Sequence, residues 1–116
     1  MGRLTTHVLD TSLGAPGAGI DIAVFRVEAG RTQVASAVTN VDGRTERPLL
    51  EGPALQRGVY EIVFGAAAYF ARTGAKLSDP PFVGDVVLRF GVAATDAHYH
   101  VPLLMTPWSY STYRGS

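Results

Sequence analysis

The segment Gly58-Val-Tyr-Glu-Ile-Val-Phe-Gly65 has the clearest β-strand pattern in the chain, and Ala66-Ala-Ala-Tyr-Phe-Ala-Arg72 directly follows it. In the first segment Tyr60, Ile62 and Phe64 alternate with three other side chains, which is the period of a strand with one apolar face. The second segment consists largely of good helix formers and is followed by Gly74, a residue suited to the left-handed conformation after a helix. The pair predicts one strand followed by a helix of about two turns.

The rest of the chain has the punctuation of an all-β protein. Its 13 glycines and 7 prolines separate short segments at intervals of about ten residues, which is typical of a β-sandwich or barrel. A chain of 116 residues is long enough for a single domain, 1–116, that buries roughly two thirds of its extended-chain surface. We expect a mostly β fold of seven or eight strands with one short helix, the strands lying at residues 4–10, 20–27, 33–39, 49–50, 58–65, 86–92, 98–105 and 108–113.

Charge and cysteine content exclude several classes of function. Ten basic and ten acidic side chains give zero net charge, so we expect neither nucleic acid nor a membrane as partner. Without cysteine there is no disulfide, no thiolate nucleophile and no cysteine-based metal site, so catalysis depends on oxygen groups and imidazoles. The first residues lack the apolar stretch of a secretory signal and no run of about 18 apolar residues occurs, so we expect a cytoplasmic protein.

Two of the three histidines form the motif His98-Tyr99-His100. On a strand both imidazoles lie on one face, roughly 6.5 to 7 Å apart along the chain, while Tyr99 and Val101 point into the core. The pair could bind zinc together with His7, could act as general acid and base near neutral pH, or could be inert and hydrogen-bonded. The spacing leaves these three interpretations open.

Two further regions carry candidate groups. Arg44 follows the turn residues Asp42-Gly43, which present a side chain rigidly at the end of a strand. The segment Tyr110-Ser-Thr-Tyr-Arg-Gly-Ser116 concentrates hydroxyl groups and an arginine. Because polar groups on both faces suit an ordinary edge strand badly, we infer that one face meets another subunit or lines a cavity.

Five stretches together resemble the 5-hydroxyisourate hydrolases, also called transthyretin-like proteins. The Tyr113-Arg114-Gly115-Ser116 ending is the most specific of them, and the resemblance extends over residues 4–116. The stretches are Leu4-Thr-Thr-His-Val-Leu-Asp10, Thr39-Asn-Val-Asp-Gly-Arg44, Tyr69-Phe70, His98-Tyr-His-Val-Pro-Leu-Leu104 and Tyr110-Ser-Thr-Tyr-Arg-Gly-Ser116.

The resemblance implies a fold and an assembly. The fold is a transthyretin-like sandwich of two four-stranded sheets with one short helix. The assembly is a homotetramer, a dimer of dimers with its active sites at the dimer–dimer interface. The implied reaction opens 5-hydroxyisourate at a cyclic amide bond with water, giving 2-oxo-4-hydroxy-4-carboxy-5-ureidoimidazoline, without cofactor or metal.

The resemblance also implies the site residues. The catalytic residues are His7, Arg44, His98 and His100, and the substrate-binding residues are His7, Arg44, Tyr113 and Ser116. The alternative function is a non-catalytic carrier of a small ligand on the same fold. Hormone carriers of that type lack the His98/His100 pair and the Tyr-Arg-Gly-Ser ending, so the hydrolase is the favoured interpretation.

Overall fold

The computed structural model describes residues 1–115, which form a mostly β fold with one α-helix in that range. The α-helix is α1 (Ala66–Arg72), and a short 3₁₀ turn lies at Gly52–Ala54. The strands are β1 (Arg3–Thr5), β2 (Val8–Asp10), β3 (Ala15–Pro16), β4 (Asp21–Val27), β5 (Arg31–Val38), β6 (Leu50–Glu51), β7 (Gly58–Phe64), β8 (Val86–Val92), β9 (His98–His100), β10 (Leu103–Thr106) and β11 (Ser109–Thr112).

Two four-stranded sheets enclose the core, as predicted. Their strand orders are β5-β4-β7-β8, entirely antiparallel, and β11-β10-β2-β3. Ile62 and Phe64 of the first sheet and Val8 and Leu103 of the second are fully buried in one apolar cluster. The strand alternation therefore selects the buried face of each sheet correctly.

The prediction of unbroken strands at residues 4–10 and 98–105 is wrong. Each is divided in two, and the first halves join β6 in a third, three-stranded sheet of order β6-β1-β9. Leu4 pairs with Tyr99 and Val8 pairs with Leu103, so the parallel pairing keeps one register on both sides of the break. The break falls at Pro102, which has no N–H to donate to the ladder. There the Thr6 hydroxyl donates to the carbonyl of Val101 (2.7 Å).

Helix α1 has the predicted bounds, and Gly74 beyond it has a φ of 78°, in the left-handed region. The buried Asp10 holds the helix against β2, since Tyr69 donates its hydroxyl hydrogen to Asp10 Oδ2 (2.9 Å). Burial, reinforced by this hydrogen bond, raises the pKa of Tyr69 to about 12. With seven residues, the one α-helix within residues 1–115 is too short to cross a membrane.

Candidate active site

His98 and His100 lie side by side on one face of β9, as the sequence predicts. Their ring centroids are 6.0 Å apart and the ring planes are inclined by 58°. Tyr99 and Val101 between and after them are buried on the opposite face. The neighbouring strand β1 runs parallel, with Arg3 opposite His98 and Thr5 opposite His100.

The Thr5 hydroxyl lies between the two imidazoles. Its Oγ1 is 2.7 Å from His98 Nε2 and 2.8 Å from His100 Nδ1. Thr5 is not among the site residues predicted from the sequence. Strand alternation could have indicated it, because it places Thr5 on the same face of its segment as His7.

His7 lies on the segment that joins β1 to β2, where its ring contacts the loop at residues 40–44. Its Nε2 is 2.9 Å from the carbonyl oxygen of Asp42. Because a carbonyl oxygen only accepts hydrogen bonds, His7 Nε2 donates its hydrogen to Asp42, and Nδ1 makes no hydrogen bond within the described residues.

The turn at Asp42-Gly43 holds Arg44 at the site. Asn40 Oδ1 accepts hydrogen bonds from the backbone N–H groups of Asp42 (2.9 Å) and Arg44 (3.2 Å). Gly43 has a φ of 75° and packs directly on the carbonyl oxygen of Val8, where a Cβ has no room. These contacts hold the loop against β2 and place Arg44 at the edge of a cavity.

A cavity of about 410 Å³ brings most of the predicted catalytic groups together. Three guanidinium groups and one carboxylate, that of Glu46, border it, which makes the cavity favourable for a substrate that carries or develops negative charge. Among its lining residues are Arg3, Thr5, Arg44, Arg47, His98 and His100.

The environment favours the neutral form of both cavity imidazoles. Burial, followed by the positive charge of Arg44, lowers the pKa of His100, and the nearby His98 and His7 lower it further. Burial and the charge of Arg3 lower the pKa of His98. Neutral imidazoles can accept a proton at neutral pH, which is what a general base requires.

Tyr113 lies apart from these groups within one chain. Its exposed ring borders a second groove, of about 560 Å³, between β8 and β11. The residues after it return to the histidines: the guanidinium carbon of Arg114 is 4.1 Å from the centroid of the Tyr99 ring, and Gly115 N–H donates to the carbonyl of His100 (2.7 Å). Ser116, the other predicted substrate-binding residue, lies outside the described residues.

The zinc interpretation of the three histidines finds no ligand set in residues 1–115, where no three His, Asp or Glu side chains are grouped as metal ligands would be. His7 Nε2 is engaged by Asp42, and Thr5 separates His98 from His100. The geometry instead arranges hydrogen-bonded imidazoles beside the guanidinium of Arg44.

Comparisons with known proteins show which proteins this chain resembles over its length. The chain is 57% identical to the 5-hydroxyisourate hydrolase of Ralstonia nicotianae, over 100% of both chains. A solved structure of (S)-allantoin synthase is 46% identical with a TM-score of 0.94. It covers 99% of this chain, which corresponds to only 44% of that longer protein.

The transthyretin structures that match this fold have lower sequence identity to the chain. Sea bream transthyretin, solved in complex with thyroxine, is 28% identical with a TM-score of 0.88, covering 97% of this chain and 94% of its own. The lower identity favours the hydrolase over the carrier interpretation. Residues 4–115 match the HIUase/Transthyretin family, and the chain belongs to that family.

Proposed function

We propose that this protein hydrolyses 5-hydroxyisourate to 2-oxo-4-hydroxy-4-carboxy-5-ureidoimidazoline. The observation that carries the proposal is the cavity that Arg44, His98 and His100 share, in a chain 57% identical over its full length to a 5-hydroxyisourate hydrolase. In the reaction a water oxygen bonds to the carbonyl carbon of a cyclic amide, the carbon–nitrogen bond breaks, and the nitrogen leaves with a proton.

The geometry suits this reaction. A neutral imidazole, from His7 or from the His98/His100 pair, accepts the proton of the attacking water. The guanidinium of Arg44, which makes no side-chain hydrogen bond or ion pair within the described part of the chain, offers its planar fork to the substrate carbonyl. A fixed positive charge there stabilises the oxyanion that forms when water attacks.

We also propose that the active protein is a homotetramer, a dimer of dimers with its active sites at the dimer–dimer interface. Two features support this. Every residue of the edge strand β11 is exposed, and Tyr113 beside it is 59% exposed. In this arrangement Tyr113 and Ser116 close the cavity and hold substrate. Sedimentation-velocity measurement should give the mass of four chains, and a stable monomer would contradict the assembly.

The decisive experiment follows the ultraviolet decay of freshly generated 5-hydroxyisourate with and without the protein. Acceleration is expected, and its absence would overturn the function. Arg44→Ala should lose most of the turnover, while the matched variant Arg57→Ala, on a groove beside Leu55, should keep it. Equal activity in these two variants would remove Arg44 from the mechanism.

We also propose that the chain is a single domain and that the protein is cytoplasmic. A single domain at 1–116 should unfold in one calorimetric transition, and two transitions would contradict it. A cytoplasmic location should appear as co-fractionation with cytoplasmic enzymes.

A further inference from the structure

We propose that the Thr5 hydroxyl passes a proton between His98 and His100, which makes Thr5 a positioning residue of the hydrolysis. The inference rests on the proposed function and extends it. Its basis is the pair of short contacts from one oxygen, 2.7 Å to His98 Nε2 and 2.8 Å to His100 Nδ1.

A hydroxyl group has a single hydrogen, and this limits the protonation states of the two rings. Within the described residues, Thr5 Oγ1 has no third polar partner, so its hydrogen is donated to one of the two imidazoles. The other imidazole must then donate to Oγ1 through an N–H group. Since the contacts use Nε2 of His98 and Nδ1 of His100, the neutral rings share one tautomer: both carry hydrogen on Nε2, or both on Nδ1.

This coupling gives each ring a defined task. With both hydrogens on Nε2, the outer Nδ1 of His98 has a lone pair and the outer Nε2 of His100 has a hydrogen. His98 is then the base and His100 the acid. The opposite tautomer exchanges the two tasks, so the relay works in either direction.

The proton transfer balances through the hydroxyl. Water gives a proton to His98 Nδ1 as its oxygen bonds to the carbonyl carbon. The hydrogen on His98 Nε2 moves to Thr5 Oγ1, and the original Thr5 hydroxyl hydrogen moves to His100 Nδ1. His100 Nε2 releases its hydrogen to the departing ring nitrogen. One proton has passed from water to the leaving group, and both imidazoles end neutral in the other tautomer.

The surroundings hold the relay in place. Arg3–Thr5 pairs with His98–His100 in register, so the backbone fixes both the hydroxyl and the rings. Burial lowers the pKa of both imidazoles, and the charge of Arg3 near His98 and of Arg44 near His100 lowers it further. The lowered pKa values favour the neutral rings that the relay uses.

The first test measures tautomers directly, by long-range ¹H–¹⁵N correlation spectra of the free, unsubstituted protein at pH 8. His98 and His100 should show the same tautomer, both Nε2–H or both Nδ1–H. One ring of each kind would overturn the proposal.

The second test uses Thr5→Val, which replaces the hydroxyl by a methyl group of similar shape on a residue type suited to strands. We expect kcat to fall at least about 100-fold with KM changed by less than about threefold, because general acid–base catalysis contributes about 10²- to 10⁴-fold. Thr5→Ser, which restores a hydroxyl, should recover most of kcat. The matched control Thr32→Val, on β5 of the sheet β5-β4-β7-β8, should leave the kinetics unchanged.

The other possible results of these two tests separate a failure of the relay from a failure of the proposed function. Wild-type kcat in Thr5→Val would overturn the relay. If that variant does not fold, Thr5→Ala and the tautomers of the unsubstituted protein give the same decision. Failure of the unsubstituted protein to hydrolyse 5-hydroxyisourate would overturn the proposed function, whereas unlike tautomers in an active enzyme would overturn the relay alone.

Discussion

Replacing Gly115 by alanine should displace the His100 imidazole. A Cβ added at Gly115 would lie 2.6 Å from His100 Cδ2 and 3.2 Å from both Cβ and Cγ of the same side chain. The backbone of Gly115 lies outside the left-handed region, so alanine is compatible with its conformation. The clash with His100 is therefore the main effect of the substitution.

The size of the displacement follows from contact distances. Carbon atoms pack best about 3.5 to 4.0 Å apart, so the ring must withdraw by roughly 1 Å. That movement also changes the geometry of the hydrogen bond between His100 Nδ1 and Thr5 Oγ1, now 2.8 Å. A displacement of about 1 Å at a reacting group costs roughly 100-fold in rate, which corresponds to about 2.7 kcal/mol of transition-state stabilisation.

The assay is steady-state hydrolysis of 5-hydroxyisourate by Gly115→Ala, with thermal unfolding measured in parallel. We expect kcat to fall about 100-fold while unfolding changes little, because Gly115 pairs with His100 through an isolated bridge outside the named strands. Gly84→Ala is the matched control, since a Cβ at Gly84 meets nothing within 4 Å. A kcat for Gly115→Ala within about threefold of that control would refute the positioning argument.

Three other predictions concern stability, pH and metal. Tyr69→Phe leaves the buried Asp10 Oδ2 without its donor, so the free energy of unfolding in urea should fall by about 1 to 3 kcal/mol; an unchanged midpoint would contradict the anchoring role. Because the pKa values of His98 and His100 lie below the ordinary 6.5, hydrolysis should be lost only below that pH. Below pH 6.5 these histidines bind protons more readily in the unfolded chain than in the folded one. The free energy of unfolding should therefore fall as the pH drops from 6.5 through the folded-state pKa values of His98 and His100. A free energy of unfolding that rises over that range in urea titrations would contradict this. The family resemblance implies a reaction without metal, so activity should survive prolonged chelation, and loss that zinc restores would contradict this.

Local patterns were enough to predict the helix, several of the strands and the placement of the histidine pair. The alternation of Tyr60, Ile62 and Phe64 depends only on strand geometry, so it identified a buried face without any knowledge of partners. The same rule placed His98 and His100 together on one side of β9. The helix also followed from local preference, since its alanines and the left-handed Gly74 define its extent.

Glu61 shows where alternation stops being informative. Glu61 alternates with the apolar Tyr60, Ile62 and Phe64 of β7, yet its side chain is buried between Arg31 (2.8 Å) and Arg89 (2.7 Å) of other strands. Their charges, above all the Arg89 hydrogen bond, lower the pKa of Glu61. Such partners depend on register between strands, which no local pattern contains.

The sequence by itself determined that His98 and His100 share one face of their strand, because the period of a strand is a property of the backbone. Only the tertiary structure decided what those residues touch. The parallel pairing of β1 with β9 sets the Thr5 hydroxyl between two imidazoles more than 90 positions along the chain. The contact of the loop at residues 40–44 with β2 brings Arg44 to the same cavity. Both depend on packing between distant segments, where the hydrophobic core and the hydrogen-bond register, and not local preference, set the distances.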